Sequence, residues 1–242
     1  MSFVRLGAAL VAAAAVGASA SAGTVFSQPG GTSGGQGIGY YSSLNGLHLG
    51  GTSKQRIGDD FSLASATSVA AMTFWGWSDD EHDSFSFGNR HATQNILSFN
   101  IEIFKLNGAG STPGDSLLDE TFAIGDVSIQ ADGNVWRYSV TFTNAVALDA
   151  NTMYGISVSA NLNSPTGPWG FVWENAAAAN NQVFANFGFG WQSFNTVTRD
   201  NMAFALFDEP PIVPLPAPVF LALAGLAGAL PMRKKLLGCF RA

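Results

Sequence analysis

Apolar and polar residues alternate with period two in runs that recur along the body of the chain. Trp136, Tyr138, Val140 and Phe142 share one parity, while Arg137, Ser139, Thr141 and Thr143 take the other. Leu97, Phe99, Ile101 and Ile103 repeat the pattern against Ser98, Asn100 and Glu102. Tyr154, Ile156 and Val158 do so against Gly155, Ser157 and Ser159, and Met202, Phe204 and Leu206 form a last run. Such alternation predicts strands with one face buried. Turn-forming groups separate the runs: Asn107-Gly108, Thr112-Pro113-Gly114-Asp115, Asp132-Gly133-Asn134, Asp149-Ala150-Asn151 and Ser164-Pro165-Thr166-Gly167-Pro168. Gly and Asn accept positive φ there, and Pro presets φ near −65°. Ala176–Ala179 could form one helical turn or a loop, and no other part of the body has helical spacing. The pattern predicts an all-β fold: a single antiparallel β-sandwich, jelly-roll-like, over residues 52–209. Residues 23–51 form a Gly/Ser-rich lead-in, with order expected to begin near Tyr40 and Tyr41.

The two ends break the alternation. Arg5 is the only charge before an apolar run from Leu6 to Ala18, and Ala18-Ser19-Ala20 and Ala20-Ser21-Ala22 are small-x-small sites. Residues 1–22 therefore read as a secretory signal peptide cleaved after Ala20 or Ala22. At the other end, residues 210–242 carry Val213-Pro214-Leu215-Pro216-Ala217, an Ala/Gly-rich apolar stretch, and then Arg233-Lys234-Lys235. Leu215 to Pro231 makes a transmembrane helix of roughly 26 Å, barely the thickness of a hydrocarbon core. The basic cluster behind it would stay cytoplasmic, leaving the body outside the inner membrane.

A short Pro-containing motif, a marginal apolar helix and a terminal basic cluster, in that order, resemble the PEP-CTERM class of bacterial sorting signals. Val213–Ala217 is similar to its VPLPA variant. The resemblance covers about the last 30 residues and implies recognition by exosortase, a membrane cysteine protease-transpeptidase that removes the tail and passes the protein to the cell surface or extracellular matrix. Pro231 and the extension Leu236–Ala242 depart from the expected ending and bear on the details of processing. The implied partners are signal peptidase, exosortase and a polysaccharide matrix, with transient inner-membrane association.

Charge narrows the partners further. The chain of 242 residues carries a formal net charge of −6, and all 17 acidic residues lie between Asp59 and Glu209. Only six basic residues (Lys54, Arg56, Arg90, Lys105, Arg137 and Arg199) share that body. Such a surface repels nucleic acid and, without bridging divalent cations, anionic polysaccharide. One Cys excludes an intramolecular disulfide, and its place at Cys239 in the tail excludes an extracytoplasmic thiol nucleophile.

Candidate chemistry is sparse. Asp79-Asp80-Glu81-His82-Asp83 is the densest acidic cluster, and Asp79, Asp80 and Asp83 are candidate ligands for structural calcium. The stretch lacks EF-hand spacing, so a solvated acidic loop is the competing reading. His48, His82 and His91 have no zinc-ligand spacing. A Ser-His-Asp hydrolase needs its serine on a strained strand-to-helix elbow such as Gly-x-Ser-x-Gly, and residues 52–209 contain no such pentapeptide. Glu102, Glu120 and Glu174 are conceivable acids, but nothing selects a catalytic pair. Trp75, Trp77 and Trp136 read as core, whereas Trp169 and Trp191 beside turn residues are candidates for stacking on a glycan. The sequence reading is thus an exported, exosortase-processed surface or matrix protein with a non-catalytic structural or adhesive body. A carbohydrate-binding module is the alternative, and a polysaccharide hydrolase or lyase is the third.

Overall fold

Long runs of β-branched and aromatic residues at alternating positions fold into paired strands throughout. The computed structural model describes residues 23–30, 39–44, 55–79, 90–107, 112–163, 170–176, 183–186, 191–194 and 201–210. Fifteen strands occur among them: β1 (Thr24–Gln28), β2 (Gly39–Tyr41), β3 (Arg56–Ser62), β4 (Thr67–Asp79), β5 (Arg90–His91), β6 (Ile96–Asn107), β7 (Thr112–Ala123), β8 (Ser128–Asp132), β9 (Val135–Leu148), β10 (Met153–Leu162), β11 (Gly170–Ala176), β12 (Val183–Asn186), β13 (Trp191–Phe194), β14 (Asn201–Met202) and β15 (Phe204–Phe207). A 3₁₀ turn at Ile124–Asp126 follows β7.

The strands make two antiparallel sheets. The larger runs β1-β15-β4-β11-β14, with β9 on the other side of β4, β8 beyond β9, and β2 and β5 paired to β11 and β4. The smaller runs β13-β12-β3-β10-β6-β7. One core joins them: Met72, Phe74, Tyr138, Trp173 and Phe204 of the larger sheet meet Phe61, Phe99, Ile101, Ile156 and Val158 of the smaller. Phe99 and Phe171 meet edge to face across the gap at 4.9 Å, and Phe74 stacks on Tyr138 at 5.1 Å. The parity read from the sequence holds for Tyr138, Val140 and Phe142, for Tyr154, Ile156 and Val158, and for Met202, Phe204 and Leu206, all buried.

Local irregularities account for the departures. Leu97 is 48% exposed because the ladder skips from the Asn161–Ser98 pair to Leu162–Ile96, so Ile96 takes the inward place. Thr112-Pro113-Gly114-Asp115, expected as a turn, opens β7 instead. β7 is the edge of the smaller sheet, where a proline without an N–H is tolerated, and its pairing to β6 shifts register nearby. The expected turns at Gly133 and Asn151 form, with φ of 65° and 54°. The lead-in contributes two strands: β1 pairs β15 and β2 pairs β11.

The segment after β2 ties the sheets together. Ser42 donates its N–H to the Phe171 carbonyl of the larger sheet at 2.8 Å, and Leu44 donates to the Ala160 carbonyl of the smaller at 2.8 Å. The Ser42 hydroxyl donates to the Val158 carbonyl at 2.5 Å and accepts from the Ile57 N–H at 3.0 Å.

Two glycines shape the outward side of the smaller sheet. A Cβ at Gly155 would fall on the Phe104 ring, and one at Gly58 would lie 3.4 Å from Trp191 Cζ3. Phe104 is held by Leu106, Phe184, Met153 and Trp191 and has little room to retreat. Gly155→Ala is expected to cost about 1–3 kcal/mol, read as a lower denaturation midpoint with an unchanged slope.

Candidate functional site

On β3, Ile57, Asp59 and Phe61 point inward, so Arg56, Gly58 and Asp60 point out. Beside Arg56 and Gly58 the neighbouring strand β10 presents Gly155, Ser157 and Ser159 on that side. These small residues leave space for Arg56 to cross β10 and reach β6. There its guanidinium pairs with Glu102 and donates to Asn100 Oδ1 at 3.2 Å. Asn100 donates in turn to Asp119 Oδ1 on β7 at 2.7 Å. Ser157 and Ser159 are buried, the Ser157 hydroxyl donating to the Ile57 carbonyl at 2.8 Å and the Ser159 hydroxyl lying 3.2 Å from that of Ser42.

Trp191 sits at the end of this row. It opens β13 and is half-buried, with Phe104 at 5.5 Å and the Arg56 guanidinium over its ring at 5.3 Å. The indole therefore already holds a cation on its π face. A sugar stacking there would compete with Arg56 or use what remains of the ring.

The other described indoles divide between the faces. Trp173 is fully buried between the sheets, its Nε1 donating to the Ala203 carbonyl at 2.9 Å. Trp75 and Trp77 share parity as expected, but on the outward side of the larger sheet, since Met72 and Phe74 take the inner one. Trp77 is 1% exposed in a small cluster with Val135 and Val172, and Trp75 and Trp136 pack on it half-buried. Trp136 also reaches the main core. Parity alone does not say which side of a strand meets the other sheet, and here a second apolar cluster forms outside.

The three conceivable acids are separated. Glu102 is ion-paired to Arg56, and Glu120 accepts from the N–H and hydroxyl of Thr143, tying β7 to β9. Glu120 thereby spans a groove of about 540 Å³ that Leu117, Leu118 and residues 143–147 also line. Glu174 lies buried on β11. Glu102 and Glu120 are each held by a partner on a neighbouring strand.

One carboxyl went unnoticed in the sequence. Asp59 is 0% exposed and faces inward from β3. Its Oδ2 accepts from Gln28 Nε2 at 2.5 Å and from the Met202 N–H at 2.7 Å, both on the larger sheet, and Oδ1 accepts from the Asp60 N–H at 2.9 Å. Asn201 Nδ2 donates to Gln28 Oε1 at 3.1 Å, extending the network. Burial pushes the Asp59 pKa well above the ordinary carboxyl range, opposed in part by the Met202 N–H and assisted by the charge of Asp60. The only sequence signal was a polar residue at an inward parity position between Ile57 and Phe61.

Asp79 closes β4, paired with Gly170 and Arg90 through the backbone, and His91 lies on β5. Asp80, Asp83, His48, His82 and Trp169 lie outside the described residues, as do Ala20, Ala22, Val213, Pro214, Leu215, Pro216, Ala217, Arg233, Lys234 and Lys235. Among the described residues no group of three or more His, Cys, Asp or Glu side chains could hold a metal ion. Gly31-Thr32-Ser33-Gly34-Gly35 has the spacing of a hydrolase elbow and also falls outside them. No family model matches the chain, and no curated protein matches it.

Proposed function

We propose that this is an exported protein whose tail exosortase removes, and whose body is a non-catalytic structural or adhesive β-sandwich, jelly-roll-like, at the cell surface or in the extracellular matrix. The observation that carries this reading is the order Val213–Ala217, apolar stretch, Arg233-Lys234-Lys235 behind an acidic body. Two antiparallel sheets with a common core support a rigid load-carrying unit, and paired Glu102 and Glu120 support a non-catalytic one. Signal peptidase and exosortase act during export, with the inner membrane as a transient station. Structural calcium at Asp79, Asp80 and Asp83 belongs to the same proposal.

Mass spectrometry of the mature protein from its own cells is expected to find an N-terminus at Ser21 or Gly23 and no residue of the basic cluster. Pro214→Ala with Pro216→Ala is expected to retain the tail. Intact chain bearing both ends in the cytosol would overturn the proposal.

A second reading, a carbohydrate-binding module, is favoured by planar polar side chains set beside indoles on the outward faces: Arg56, Glu102 and Asn100 at Trp191, and Asp132 at Trp75. Trp169 and Trp191 are the residues that the sequence nominated for it.

A further inference from the structure

We propose that the outward face of the larger sheet binds a neutral, β-linked pyranose chain, with Trp75 as the stacking plate and Asp132, Arg137 and Gln130 as its polar rim. The inference rests on the carbohydrate-binding reading and moves the site to the sheet opposite Trp191.

Trp75 is anchored in two ways. Its ring packs on the cluster of Trp77, Val135 and Val172, and Nε1 donates to Asp132 Oδ2 at 2.8 Å. An indole held by packing and one hydrogen bond loses little entropy when a ligand arrives. Among the described residues no other ring and no cation stacks on Trp75, unlike Trp191 beneath Arg56. Gly30 lies against the base of the Trp75 ring, and the part of the ring left exposed beyond it is offered to the C–H face of a sugar.

The rim follows from register. Arg137 lies directly across from Trp75 on β9, and Gln130 directly across from Arg137 on β8. The Arg137 guanidinium donates to Gln130 Oε1, which holds both planar groups beside the plate. Asp132 is exposed and keeps acceptor sites beyond the one used by the indole. Carboxylate, guanidinium and amide offer the donors and acceptors that ring hydroxyls need. Three strands span roughly 10 Å, the length of a disaccharide. β-Linked pyranoses with equatorial substituents present flat C–H faces suited to such a plate. The ligand is neutral because 17 acidic residues against six basic ones repel a polyanion.

The test is native affinity electrophoresis of the full chain, in mild detergent, through gels containing hydroxyethylcellulose, galactomannan or alginate. The expected result is retardation in at least one neutral gel and none in alginate. Trp75→Ala is expected to weaken that retardation at least tenfold, Asp132→Asn to weaken it severalfold, and Trp191→Ala to leave it unchanged. Thermal melts show whether each variant is folded. Should Trp75→Ala lose its cooperative melt, Asp132→Asn at an exposed position and Arg137→Gln at a partly exposed one decide the matter. No retardation in either neutral gel overturns the proposal, as does stronger retardation in alginate. Retardation that vanishes with Trp191→Ala and survives Trp75→Ala overturns this site while leaving a carbohydrate-binding module in place.

Discussion

Replacing Trp173 with alanine is expected to lower the unfolding free energy by about 3–5 kcal/mol. The side chain is fully buried on β11, beside Phe204 at 6.3 Å, where the short strands β14 and β15 adjoin β11 and β4. Most of the cost is the cavity, because the polar loss is small. The Ala203 carbonyl that accepts from the indole also accepts from the Trp75 N–H at 3.3 Å, so it keeps a partner. Trp173→Phe retains much of the volume and is expected to cost less than the alanine variant. Denaturant titration followed by near-ultraviolet circular dichroism measures both, and a loss below about 1 kcal/mol for Trp173→Ala would refute its place in the core.

The second large effect concerns pH. Burial raises the Asp59 pKa well above that of an Asp side chain in the unfolded chain. Between those two values the folded protein holds a proton that the unfolded chain has released. Stability therefore falls as pH rises through that window, by up to about 1.4 kcal/mol per pH unit for one proton. Below the window the contribution is fully present, and above it the curve levels. Asp59→Asn removes the titration and is expected to flatten this part of the profile. It also sets an amide donor against one of three N–H donors, so a loss of absolute stability accompanies the flattening. Denaturant midpoints from pH 4 to pH 8 for both proteins give the comparison. Parallel profiles would show that Asp59 is not the group responsible.

Much of the fold is legible in the alternation. Tyr138 to Phe142 and Tyr154 to Val158 alternate because one side of each strand is buried, and the buried side is the one their apolar residues occupy. Leu97 and Pro113 were misread because their settings are not local. A bulge against β10 turns Leu97 outward, and an edge position lets Pro113 join a strand. Trp77 is buried as expected, but on the outward side of its sheet, for a related reason. Trp75 and Trp173 both sit in short apolar runs, and nothing within either run says which side has a sheet opposite it. The expectations at Asp80, Asp83, Trp169 and the two ends concern residues outside those described.

The chain's local chemistry thus determined its all-β character, most strand parities and the turns at Gly133 and Asn151, because each depends on neighbours within a few residues. Only tertiary structure decided that Asp59 is enclosed by donors from both sheets, that Arg56 crosses β10 to Glu102, and that Trp75 faces out while Trp173 faces in. Period-two alternation sorts residues into two sides of a strand. Which side is covered, and by what, depends on strands as far away as residues 201–207, whose approach no local spacing records.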